Sequence, residues 1–250
     1  MFGKRLLLIV LTAGLSAPAA TISFTFNGEV NSSTVDRSLD SGATWTNTMS
    51  VGQMKVTVAS TSGFASPVPT VFWTFCVEPQ QSVSSGTSYT YTIDPLQDAP
   101  TNVSGGMGAV KADLLRELYG RYYPVFQNGT LSVTTAGALQ VATWEIVRET
   151  SGTYNVLTGT TRFRNPSSSA VLTTANTMLA SLNGTGPLLS QMYSIRGTTN
   201  QDLAFHSEVT VPEPSTAASL ILAAGFGICR RRRGRLSALL TNRCQSRLAP

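Results

Sequence analysis

Cys76 and Gln140 are the two residues of this chain whose chemistry sits least comfortably with its surroundings. Cys76 lies in Phe72-Trp73-Thr74-Phe75-Cys76-Val77-Glu78-Pro79, an apolar run with strand character. A thiol in such a run is a small buried hydrophobe, a link to another chain, or a group held for use. Gln140 lies in Ala136-Gly137-Ala138-Leu139-Gln140-Val141-Ala142-Thr143-Trp144-Glu145-Ile146-Val147, where polar side chains are scarce. Helical spacing puts it on one face with Gly137, Trp144 and Val147. A carboxamide on an apolar face costs about 1–3 kcal/mol unless it is hydrogen-bonded or otherwise used.

Other chemistry is thinly represented. His206 is the only histidine, and it lies in a strand-like stretch near the C-terminal signal, where a surface position is expected. No serine motif, phosphate loop or histidine–carboxylate cluster accompanies it, so neither an enzyme active site nor a metal or cofactor site is expected. Asp94, Asp98 and Asp113 are scattered, and Arg162 and Arg164 read as a solvated loop. Glu145 and Tyr119 are the nearest candidates for proton transfer, but nothing in the sequence positions them. The overall charge of +5 also misleads, because its sources lie at the two ends. Between residues 20 and 211, nine basic residues stand against twelve acidic ones, so no basic groove is expected and nucleic acid is excluded as a partner.

The elements that must position Cys76 and Gln140 follow from periodicity. Alternation of apolar and polar residues predicts strands over 22–30, 49–59, 71–77 and 89–93, with a loop over 60–70. The period then changes. A helix is expected over 109–119, with Val110, Leu114, Leu115 and Leu118 on its apolar side and Gly120 at its end. A second is expected over 135–149, and a third from Asn165-Pro166 to about Leu182, closed by Asn183-Gly184. Residues 201–211 return to strand character. The expected fold class is α+β: a β-rich, sandwich-like domain with a helical insertion, plus one short C-terminal membrane helix.

The two ends carry an address. Residues 1–19 read as a signal peptide: Lys4 and Arg5, an apolar run over 6–15, then Ala17-Pro18-Ala19, with signal peptidase cutting before Ala20. Residues 20–210 form the exported body. Pro212-Glu213-Pro214 then precedes an apolar run over 217–229 and the cluster Arg230, Arg231, Arg232, Arg233. Those arginines can snorkel and hold their end of a short helix on the cytoplasmic side. This order over 211–233 resembles the PEP-CTERM sorting signal of Gram-negative bacteria. The resemblance implies export across the inner membrane, anchoring there, recognition by an exosortase, and delivery to the cell surface or extracellular matrix. In one respect the chain departs from that pattern, since residues 234–250 continue beyond the arginines as a cytoplasmic tail.

This topology isolates Cys76. Cys229 ends the apolar run and Cys244 lies beyond the arginines, so neither is a disulfide partner for Cys76 outside the cell. Phe75-Cys76-Val77 and Leu139-Gln140-Val141-Ala142-Thr143-Trp144 together resemble the two short motifs of bacterial surface thioester domains, over roughly residues 70–150. The resemblance implies a Cys76–Gln140 thioester, shielded by Phe72, Trp73, Phe75 and Trp144. An amine or hydroxyl on a surface or matrix ligand would open it. Thr143 departs from the motif, where an apolar residue is usual. The alternative is a non-reactive structural or matrix-binding protein with a buried, free Cys76.

Overall fold

The computed structural model describes residues 19–64, 68–123, 129–165 and 169–206. The signal peptide, the Pro212-Glu213-Pro214 motif, the apolar run, Arg230 to Arg233 and the tail lie outside the described residues. Among the described residues no helix is long and apolar enough to cross a membrane.

Seven strands form one sheet. β1 (Thr21–Ser38) lies between β2 (Thr46–Ser62) and β4 (Ser88–Pro95), β3 (Val71–Thr74) flanks β2, and β6 (Met192–Arg196) and β7 (Leu203–His206) continue beyond β4. Every pairing is antiparallel. The first half of β1 alternates inward and outward, burying Ile22, Phe24 and Phe26. Its register against β2 slips at four places, two of them beside Gly28 with φ 100° and Asn31 with φ 51°. Such bulges bend a strand and increase its twist. The bent strand pairs β4 with its start and β5 (Arg162–Arg164) with its end.

The curvature brings the two ends of the sheet together. Ala204 N–H donates to Phe75 O at 2.9 Å, and Val77 N–H donates to Asp202 O at 2.9 Å. The chain beyond β3 thus pairs with β7, with Cys76 opposite Leu203. The result is a single, nearly closed sheet in place of the two stacked layers of a sandwich. Arg162 and Arg164 correspondingly lie in a strand rather than a solvated loop, and Arg164 pairs with Asp36 at 2.9 Å.

The helices are inserted between β4 and β6, as the change of period predicts. The central one is α2 (Val133–Arg148), in which every residue from Ala136 to Val147 is buried. A helix apolar on all sides must be enclosed on all sides, and α2 packs against β1, β2, α1 (Gly108–Tyr122) and α3 (Ala170–Ala180). Gly137 permits this approach, since a Cβ there would meet the side chains of Val171 and Val51 at 3.3 and 3.5 Å. Ser132 caps the start by accepting from Thr135 N–H at 3.1 Å. At the other end, Lys111 donates to the carbonyls of Val147 and Glu149 at 2.9 and 2.8 Å, where a helix leaves acceptors unpaired.

The helix bounds differ from expectation in instructive ways. α1 does not end at Gly120 but runs through it to Tyr122. Gly120 is small because the carbonyl of Pro187 packs against it, in a segment also tied by Leu189 N–H to Arg116 O at 3.0 Å. Val110 is 76% exposed, and the buried face of α1 is built by Ala112, Leu115, Leu118 and Tyr119. α3 begins at Ala170 and ends at Ala180, short of Asn183.

Gly120→Ala tests this packing, because helix propensity and sterics oppose each other. Propensity favours alanine by about 1 kcal/mol. The Cβ would collide with backbone, where overpacking costs about 1–3 kcal/mol. The variant is expected to unfold at lower urea concentration than wild type. A higher midpoint would show that residues 187–189 do not press on α1.

Candidate functional site

The fold brings Cys76 and Gln140 together across 64 positions of sequence. The register of the seam explains how. Phe75 O and Val77 N bond to β7, so the amide and carbonyl of Cys76 face the other way. On that side β2 is no longer available, since its last pair with β3 is Met54 with Thr74. The Gln140 carboxamide takes the place of the missing strand. Cys76 N–H donates to Gln140 Oε1 at 2.9 Å, and Gln140 Nε2 donates to Cys76 O at 2.7 Å. Both residues are buried.

The sulfur is held by the turn that follows. Cys76 Sγ–H donates to Glu78 O at 2.7 Å, and Glu78 N–H approaches the sulfur at 3.2 Å. Burial pushes the thiol well above its ordinary pKa, against smaller lowering effects of the Trp144 indole and the Glu78 backbone. The Trp144 N–H, within electrostatic reach of the sulfur, makes no hydrogen bond of normal geometry. Its ring stacks on Phe163 at 6.3 Å between centroids. Phe75 packs edge-on against Tyr119 and Tyr123. Phe72 is buried further along against Phe205, whereas Trp73 is only half-buried.

A cavity of about 150 Å³ opens onto this group. Cys76, Gln140 and Trp144 contribute to its wall, as do Glu29, Ser50 and Gln81. Ser50 donates to the Glu29 carboxylate, and Gln81 Oε1 is buried without a partner.

Two charged neighbours were not legible as site residues. Glu78 is fully buried; its Oε1 accepts from Gln80 N–H at 2.6 Å, and its Oε2 has no partner. Burial raises its carboxyl, opposed by hydrogen bonds and by Arg148. Arg37, also buried, donates to Pro79 O; burial lowers its pKa, opposed by the Glu78 carboxylate. The sequence signal for Glu78 is its position two residues after Cys76, at the end of an apolar run. Arg37 offers none, because only the bend of β1 carries it inward.

Other sequence candidates lie apart from this chemistry. Tyr119 bonds Thr143 at 2.9 Å, and Thr143 also donates to Leu139 O at 2.8 Å, which satisfies the polar residue that departs from the motif. Glu145 accepts from Asn155 N–H at 2.9 Å. His206 is half-buried in β7 opposite Met192. Among the described residues no three histidine, cysteine or carboxylate side chains gather as a metal site. Compared with protein-family models, curated proteins and solved structures, the chain matches none.

Glu145 gives this region a pH signature. Burial raises its carboxyl to about 8, against the Asn155 hydrogen bond, while its Oε2 has no partner. A folded-state pKa above the unfolded value of 4.5 means that stability is lost as pH rises from about 4.5 to about 8. Glu145→Gln removes that titration. Its thermal midpoint relative to wild type is expected to climb across this window and level off above it. A difference that does not vary with pH would show that Glu145 is ionised throughout.

Proposed function

We propose that the chain is an exported surface protein that captures a partner covalently through a thioester between Cys76 Sγ and Gln140 Cδ. The observation that carries this reading is the docking of the Gln140 carboxamide on Cys76. A cavity open to the surface is lined by both residues and gives a ligand access to the pair. The sorting signal at Pro212, Glu213 and Pro214 and the arginines 230–233 supports export and exosortase processing, on the sequence alone.

The geometry suits the chemistry. The sulfur attacks Gln140 Cδ, the C–N bond breaks, the thiol proton passes to nitrogen, and ammonia leaves. Charge develops on Oε1 in the tetrahedral intermediate. Cys76 N–H donates to that oxygen at 2.9 Å in the unreacted carboxamide, so a donor already stands on the side where charge would develop. The bond from Nε2 to Cys76 O holds the departing nitrogen and sets the rotation of the carboxamide. Burial of Phe75 and Trp144 keeps bulk water off the product. A narrow side-chain tip bearing an amine or hydroxyl fits the cavity and displaces the sulfur.

A second reading keeps Cys76 as a thiol in a structural or matrix-binding protein. The completeness of the Gln140 pairing favours it, since the carboxamide satisfies two buried backbone groups without further reaction. Alkylation separates the two. With the full-length chain in denaturant, the Cys76 peptide is expected to resist iodoacetamide until methylamine has been added. Labelling of that peptide in denaturant alone, in freshly prepared protein, would favour the structural reading.

A further inference from the structure

We infer that the indole N–H of Trp144 acts on the Cys76 sulfur as the donor that receives the thiolate when a nucleophile opens the bond; this rests on the thioester reading above. Trp144 lies one helical turn after Gln140 on α2, so the same rigid element holds the acyl carbon and the indole. Both line the cavity with Cys76. The N–H is buried, and its one interaction is with the Cys76 sulfur, short of normal hydrogen-bond geometry. A structural role for the ring, through its stacking on Phe163, does not require that N–H.

The opening step shows what the donor is for. The nitrogen of an incoming amine bonds to Gln140 Cδ, and the Cδ–Sγ bond breaks with its electron pair on sulfur. The amine proton then passes to sulfur, leaving an amide and a thiol with no change of oxidation state. The departing thiolate forms in a buried site, where its charge is disfavoured. The carboxyls of Glu78 and Asp202 oppose it further, and Arg37 couples to it with the opposite sign. Glu78 N–H at 3.2 Å is one donor to the sulfur, and the Trp144 indole supplies a second.

Trp144→Phe in the full-length chain removes the N–H and keeps an aromatic ring. Methylamine-dependent alkylation of the Cys76 peptide is expected to slow by about 10- to 100-fold, as for loss of a hydrogen bond to a charged group. Benzothienylalanine at position 144, which matches the indole in shape but lacks the N–H, controls for packing and should be equally slow. Opening at the wild-type rate in either variant would overturn the assignment to the N–H. Absence of methylamine-dependent thiol in wild type would instead remove the thioester itself, and this role with it.

Discussion

The structure turns on the backbone of one residue at the seam of a curled sheet. Cys76 bridges β7 on one side and has lost β2 on the other, so its amide and carbonyl are buried without a strand to pair them. Leaving both unpaired would cost about 1–3 kcal/mol each. The Gln140 carboxamide meets both, which fixes the height and rotation of α2 within the fold. That constraint explains why a glutamine stands inside α2: the helix is enclosed by β1, β2, α1 and α3, and its single amide has a backbone to satisfy.

The same arrangement is what the proposed thioester chemistry would use. A side-chain carboxamide bound to an amide N–H is polarised in the direction that nucleophilic attack requires, and the neighbouring sulfur is held by the turn at Glu78. Structural satisfaction and activation are two aspects of one set of contacts. What distinguishes the site from an ordinary core is the group of unpaired polar atoms around it. Gln81 Oε1, Glu78 Oε2 and Arg37 Nε are all buried without partners. A core selected only for stability would remove such groups.

Much of this was legible from the residues. Alternation over the start of β1 identified its inward face, and the unbroken apolar stretch around Gln140 identified a helix, because these are local patterns. Of the short strands, β3 and β7 fall within the expected 71–77 and 201–211, but β5 and β6 were not legible. β5 is Arg-Phe-Arg, whose strand character comes from pairing with the bent end of β1 rather than from its composition. Bulges decided sheet closure, so the sandwich expectation gave way to one curved sheet. Cys76 and Gln140 each stood out alone, but their contact depends on the register at the seam, which no local pattern encodes. Glu78 and Arg37 became site neighbours only through burial.

The most direct test is the mass of the peptides that carry the two residues. Freshly prepared full-length chain is digested under mildly acidic conditions and compared with Cys76→Ala. The thioester account predicts one species in which the Cys76 and Gln140 peptides are joined and lighter than their sum by one ammonia, with no such species in the variant. Two separate peptides of unaltered mass, in protein that has seen no amine, would contradict it and leave Gln140 as the structural partner of a free thiol.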